Sequence, residues 1–197
     1  MLIIDGHVCD SDLWFLRSVL ETLDLRLAEL DLAASKTTDP ESSGICDPYE
    51  ELCGVGFVTA QRYLAAVCGW YYVEKHIALK TGPEIGWGLT IAQIINSAAN
   101  YWKHHDEWWT ADPKPKMKRK DPLEAFGDSI GYDYPLSCIL AGLSEQPYRL
   151  SKLVPKLEEW RYSVRKKGRP NQALQTTPMT RSVYEKTIEF ERPQRGV

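Results

Sequence analysis

The residues best suited to chemistry lie together in the stretch NSAANYWKHHDEWW, residues 96–109. His104 stands beside Lys103, with Asn100 four positions before it. A histidine is the usual general acid or base near neutral pH, because its pKa lies close to neutrality. On a helix the i, i+4 spacing lets the Asn100 amide orient the His104 imidazole. We therefore predict His104, Asn100 and Lys103 as the catalytic candidates, with Lys103 contacting a phosphate.

A basic, proline-flanked loop, TADPKPKMKRKDP, follows this stretch and is a candidate for RNA binding. Its cationic residues are Lys114, Lys116, Lys118, Arg119 and Lys120. Cationic side chains attract the phosphate backbone. The combination suits RNA cleavage without a metal or other cofactor, in which a base takes the 2′-OH proton and an acid protonates the leaving oxygen.

Two other interpretations of the histidine stretch stay open. Histidines near the C-terminal end of a helix are favourable on dipole grounds alone, and His105 falls on the apolar stripe of the predicted helix, where a structural role is expected. A metal site made of His76, His104 and Glu107 would also suit Zn²⁺, Mn²⁺ or Fe²⁺. The chain has no Glu-x-x-His spacing of the di-iron bundles.

Composition indicates an ordinary globular protein, with 43% hydrophobic and 26% charged residues. We expect one domain over residues 1–167 and a polar, disordered or peripheral tail over 168–197. No apolar run approaches the roughly 18 residues of a membrane span, and the N-terminus lacks a basic leader. Five widely spaced cysteines argue against a disulfide framework and favour a cytoplasmic location.

The net charge of −3 hides an asymmetry between the two halves of the chain. Residues 1–112 contain 17 Asp and Glu against 7 Lys and Arg, whereas residues 113–197 contain 10 against 17. The basic half can meet a polyanion, or it can pack near the acidic half of its own chain or of a second copy.

Periodicity predicts an all-α helical bundle of about five or six helices, with two or three long antiparallel ones. The first helix has a leucine stripe from Leu13 to Leu30 at heptad spacing, widened by Val19, Leu25 and Leu32, and Asp10 or Ser11 caps it. A second, largely buried helix is predicted over residues 49–80 and a third over 89–108. Shorter helices follow, the last bent at Pro155.

The stretch AANYWKHHDEW resembles the R-N-x-x-x-H motif of the HEPN superfamily, whose members are helical bundles built on a pair of long antiparallel helices. On that alignment Asn100 and His104 occupy the Asn and His positions, and Ala99 stands where the family has Arg. In the family the Arg and His together form a metal-independent RNase centre. The resemblance also implies a homodimer with a shared cleft, and a role in toxin–antitoxin or phage-defence systems.

The sequence thus favours a cytoplasmic, homodimeric HEPN-like protein that binds or cleaves RNA, with a possible cognate antitoxin as partner and no membrane association. The alternative is a non-catalytic helical interaction protein. In either case we expect the Leu13–Leu30 stripe to form the dimer. A His and carboxylate metal-binding bundle is the third interpretation.

Overall fold

The computed structural model describes residues 2–4, 7–110, 126 and 133–168, and their side chains except those of residues 2–4, 7, 8 and 106–110. The helices in this part are α1 (Ser11–Ala34), α2 (Cys46–Tyr71), α3 (Lys75–Leu79), α4 (Ile91–Thr110), α5 (Pro135–Leu143) and α6 (Leu153–Lys167). Two antiparallel hairpins pair β1 (Leu2–Ile4) with β2 (His7–Cys9) and β3 (Glu84–Gly86) with β4 (Leu89–Thr90). The predicted all-α bundle is confirmed, whereas the two short hairpins were not predicted. The predicted tail beyond Gly168 lies outside the described residues.

Helix α1 forms where its leucine spacing predicts, and its stripe packs in the protein's own core. Asp10 caps the helix, because its Oδ1 accepts a hydrogen bond from the Leu13 backbone N–H at 3.0 Å. The stripe residues Leu13, Leu16, Leu20, Leu27 and Leu30 are buried. The prediction that this stripe forms a dimer is therefore wrong, because other helices of the same chain already cover it.

Of the three residues expected to widen that stripe, Val19 is half-buried, but Leu25 and Leu32 are on the opposite face of α1. Leu25 is 71% exposed and Leu32 is 59% exposed, as is Trp14 at 65%. Positions 14, 25 and 32 share one face at 3.6 residues per turn, turned away from the buried leucines. The prediction that Leu25 and Leu32 belong to the core is wrong.

Helix α2 is the central element and packs against α1, α4, α5 and α6. By length and composition alone it could cross a membrane, but in this fold its apolar surface packs against those helices. Its Tyr63 hydroxyl donates to Asp10 Oδ2 at 2.8 Å, near the start of α1, so that α1 and α2 are antiparallel. Arg161 of α6 donates to the same oxygen at 2.5 Å. One carboxylate thus joins three helices.

The predicted helix over residues 49–80 is interrupted at Tyr72, which takes a left-handed conformation with φ of 52°. The chain turns there and continues as the short α3. The turn brings Ala78 to α6, where its carbonyl accepts a hydrogen bond from the buried Trp160 indole N–H at 2.9 Å. Burying that donor without a partner costs free energy, so the tertiary contact favours the turn over a continuous helix.

A capping box fixes the start of α4. The Gln93 backbone N–H donates to Thr90 Oγ1 at 3.2 Å, and the Thr90 N–H donates to Gln93 Oε1 at 3.1 Å. This reciprocal pair satisfies two otherwise unpaired donors. The Thr90 hydroxyl also donates to the carbonyl of Leu79, which anchors the end of α3 to the start of α4.

The last helix is preceded by a 3₁₀ turn over Leu150–Lys152, which buried Asp24 of α1 holds. Asp24 accepts hydrogen bonds from the backbone N–H groups of Leu150, at 2.6 Å, and of Ser151, at 3.0 Å. Pro155 is the third residue of α6. A proline in the first helical turn removes no intrahelical hydrogen bond, so its expected role as a bend in mid-helix is wrong.

Helices α2 and α4 approach closely at Gly54. A Cβ atom at this position would lie 2.0 Å from the Trp102 side chain of α4. The Trp102 indole N–H in turn donates to Glu51 Oε2 at 3.0 Å, one turn earlier on α2. Glycine at position 54 therefore sets the spacing at which the polar residues of the two helices meet.

We predict that Gly54→Ala destabilises the protein by roughly 1–3 kcal/mol, because the added methyl group displaces a packed indole ring. The measurement is the free energy of unfolding in urea. Gly69→Ala is the matched control, since Gly69 is in the same helix with open space around it. The control should gain roughly 0.5–1 kcal/mol from helix propensity. Equal effects of the two substitutions would contradict the packing account.

Candidate functional site

Four polar side chains join α2 to α4, and we call them the lysine–amide cluster: Gln61, Asn96, Asn100 and Lys103. Gln61 is its centre. The Gln61 Nε2 group donates to Asn96 Oδ1 at 3.0 Å and to Asn100 Oδ1 at 2.9 Å. Lys103 Nζ donates to Gln61 Oε1 at 2.7 Å. The cluster is possible because α4 runs antiparallel to α2, which places successive turns of α4 beside one glutamine.

Lys103 determines which way every amide in the cluster points. An ammonium group can only donate, so the atom of Gln61 that it contacts must be the oxygen. The Gln61 nitrogen then faces Asn96 and Asn100, and both asparagines must present their oxygens to it. Each asparagine keeps the two Nδ2 hydrogens for another partner, and within the described residues these groups donate to no acceptor. The cluster therefore offers donors rather than acceptors.

A second lysine lies close to the cluster. Partial burial first, and then the positive charge of Lys75 at the start of α3, lowers the pKa of Lys103. The two ammonium groups come from different helices and repel each other. An anion bound between them would relieve this repulsion.

A shallow pocket of about 240 Å³ adjoins the cluster and shares Asn96 with it. Its lining residues are His76, Leu79, Lys80, Leu89, Gln93, Asn96 and Ser97, none of which is acidic. His76 is exposed, and its Nδ1 lies 3.2 Å from Glu74 Oε2. The pocket and the cluster together form one polar surface with three lysines, Lys75, Lys80 and Lys103, in the acidic half of the chain.

The structure places the predicted catalytic residues on one turn of α4. Asn100 and His104 are half-buried and Lys103 is exposed. The sequence predicts that the Asn100 amide pairs with His104. In the structure, the oxygen of that amide accepts a hydrogen bond from Gln61. Lys103 is held by the same glutamine. Asn100 and Lys103 thus belong to one hydrogen-bonded group, which the sequence did not reveal.

Ala99 and His105 occupy structural positions. Ala99, which stands where the HEPN motif has Arg, is fully buried in the core. His105 is half-buried, stacks on Tyr101 with ring centroids 5.7 Å apart, and its Nδ1–H donates to the Trp102 carbonyl at 2.8 Å. A carbonyl can only accept, which fixes the proton on Nδ1.

Part of the predicted site lies outside the described residues. This applies to the RNA-binding candidates Lys114, Lys116, Lys118, Arg119 and Lys120, and to the side chain of Glu107 in the alternative metal site. In the described part of the chain, no three His, Cys, Asp or Glu side chains converge in a way that could hold a metal ion. The remaining members of that alternative, His76 and His104, lie on α3 and α4.

Sequence analysis missed Gln61, Asn96 and Lys75 as site residues. Gln61 was the easiest to find, because Gln61 and Arg62 are the only strongly polar residues in the middle of the apolar α2 sequence. Lys75 could not be placed, since its position depends on the turn at Tyr72.

Comparison of the chain with protein-family models, with curated proteins and with solved structures found no match. The relationship to the HEPN superfamily therefore stays a prediction that depends on the Asn100 and His104 spacing.

We predict that Lys75→Gln raises the pKa of Lys103. Removal of a nearby positive charge favours the protonated form of the remaining lysine, so the shift must be upward, while burial still holds the pKa below its ordinary value. The measurement is an NMR titration of the Lys103 side-chain methylene signals. Lys36→Gln at the end of α1 is the control for a general change in net charge and should leave this pKa unchanged. A downward shift, or an equal shift in both variants, would contradict the proximity of the two ammonium groups.

Proposed function

We propose that the protein binds RNA through its phosphates at the surface formed by the lysine–amide cluster and the adjoining pocket. The observation that carries the proposal is the donor-only polarity of the cluster. Phosphate oxygens only accept hydrogen bonds, so they match the free Nδ2 groups of Asn96 and Asn100 and the ammonium group of Lys103.

The local charge supports an anionic ligand. Lys75 and Lys103 repel each other, and Lys80 lines the pocket beside them. In sequence, the basic segment 114–120 comes shortly after α4, and we propose that its cations also contribute to phosphate binding. Each lysine that contacts a phosphate releases counterions and contributes to a salt-dependent affinity.

We propose that this surface binds RNA and does not cleave it by the HEPN mechanism. That mechanism pairs a histidine with an arginine, and the position for the arginine is Ala99, whose side chain packs in the core. Lys103 is the cation nearest in sequence to His104, and it donates one hydrogen bond to Gln61, which leaves its remaining N–H groups for a phosphate. An RNA-binding role in a toxin–antitoxin or phage-defence system remains compatible with these contacts.

A second candidate function is that of a homodimeric interaction protein, and the outward face of α1 favours it. Trp14, Leu25 and Leu32 are all more than half exposed on one face of this 24-residue helix. Exposed large apolar side chains in a row are typical of contact surfaces. We propose that two copies pack through this face, rather than through the buried leucine stripe.

For RNA binding, we predict that Gln61→Glu weakens affinity by about tenfold or more. A carboxylate at position 61 accepts hydrogen bonds only, so both asparagines would turn their nitrogens inward and their oxygens toward the ligand. Lys103→Ala should weaken binding and reduce the slope of log K against log salt concentration by about 1. The measurement is fluorescence anisotropy with a labelled single-stranded RNA at several salt concentrations.

The matched controls are Thr22→Glu on α1 and Lys36→Ala just after it, which make the same charge changes away from the cluster. If these variants lose as much affinity as the cluster variants, binding is not localised at the cluster. The same RNA incubated with the protein in EDTA should stay intact. Cleavage that persists in EDTA and disappears in His104→Ala would instead support a HEPN-like nuclease, and cleavage abolished by EDTA would support the metal site.

For the homodimer, we predict that the wild-type protein sediments as a dimer and that Leu25→Glu sediments as a monomer. A charge on this face would be buried without a partner in the dimer. Analytical ultracentrifugation is the measurement, and Tyr162→Glu, at an exposed aromatic residue of α6, is the control. A monomeric wild type, or a dimer that survives Leu25→Glu, rejects the proposed interface.

A further inference from the structure

A second pocket, of about 330 Å³, lies at the other end of α2, between the end of α1 and α5. We call it the tyrosine pocket, after Tyr49, Tyr134 and Tyr148. Its other lining residues are mostly small or apolar. They are Asp31, Ala34, Pro40, Ile45, Cys46, Ser137, Cys138 and Ala141. Its volume falls within the range of small-molecule sites in proteins.

Polar contacts fix the walls of this pocket. The Glu50 carboxylate of α2 accepts hydrogen bonds from the backbone N–H groups of Leu136, at 2.6 Å, and of Ser137, at 2.8 Å. This contact caps α5 and holds it against α2. Arg149 donates to Asp31 Oδ2 at 2.7 Å and to the Tyr148 carbonyl at 2.6 Å, which holds the loop that carries Tyr148 against α1.

The three tyrosine rings come from three different parts of the chain and converge on one space. In the described residues, no other ring and no cation is stacked on any of them. The face of an aromatic ring carries partial negative charge and attracts cations. Three such rings around an open pocket therefore favour a cationic ligand.

Carboxylates around the pocket add to this preference. Burial, followed by the charges of Glu41 and Asp47, raises the pKa of Tyr134 to about 12. Burial and then the carboxylates of Glu41, Asp47 and Asp39 raise the pKa of Cys46. Arg149 is paired with Asp31 at 2.7 Å, so the carboxylates near Tyr134 and Cys46 are not offset by this arginine. The pocket is therefore unfavourable for anions.

We propose that the tyrosine pocket binds a small organic cation, in which an ammonium or guanidinium group is carried on an apolar or aromatic body. The cationic group lies among the tyrosine rings near Glu41, and the apolar body packs against Pro40, Ile45 and Ala141. This site is separate from the RNA-binding surface, since Tyr49 lies in the first turn of α2 whereas Gln61 lies about three turns further along the helix. Its occupancy does not depend on whether RNA binds.

The test uses three probes of similar size: phenethylammonium, neutral 2-phenylethanol and the anion 3-phenylpropanoate. Isothermal titration calorimetry on the full-length protein should show binding of the cation at least about tenfold tighter than that of the alcohol, with no binding of the anion. Cys138 is exposed and lines the pocket. Saturating phenethylammonium should therefore slow its alkylation by N-ethylmaleimide, measured by peptide mass spectrometry.

Two variants assign the binding to this pocket. Tyr49→Leu removes a ring, and Glu41→Gln removes an exposed carboxylate without disturbing the core. Both should weaken phenethylammonium binding, whereas Tyr162→Leu on α6 should not. Equal affinity for the alcohol overturns the proposed preference for a cation. Absence of binding by all three probes, or binding that neither variant changes and that leaves Cys138 unprotected, overturns the site itself.

Discussion

The close contact between α2 and α4 is the constraint on which the candidate site depends. Gly54 lets the Trp102 ring lie directly on the α2 backbone, and the antiparallel direction of the two helices then places Gln61 beside Asn96 and Asn100. A larger residue at position 54 would separate the helices and break these hydrogen bonds. The cluster is thus a consequence of backbone spacing as much as of residue chemistry.

The same central helix connects two chemically different surfaces. Near its middle, α2 contributes Gln61 to a donor-rich surface with three lysines, and near its N-terminus it contributes Tyr49 to an aromatic pocket surrounded by carboxylates. The first surface matches phosphates and the second matches organic cations. This separation explains how a chain with little net charge can present surfaces of both signs.

Two buried carboxylates hold the helices in place, and their partners are distant in sequence. Asp10 joins the start of α1 to Tyr63 and Arg161, and Asp24 caps the 3₁₀ turn at Leu150. Breaking a buried charge pair by removing one partner is costly, because the remaining charge loses both water and its partner. These contacts fix the order of α1, α2 and α6 and therefore the shape of the surfaces between them.

Local sequence patterns predict the helical class, the position and cap of α1, and the helix that carries Asn100, Lys103 and His104. Heptad spacing and capping residues act locally, so they can be read from neighbouring positions. The sequence could not decide the turn at Tyr72, the exposure of Leu25 and Leu32, or the role of Gln61. Each of these depends on residues more than 30 positions away, such as Trp160 for the turn and Lys103 for the glutamine. Tertiary packing alone decided which apolar face was covered and which atom of each amide faces Gln61, because both follow from the partner that a side chain meets across the bundle.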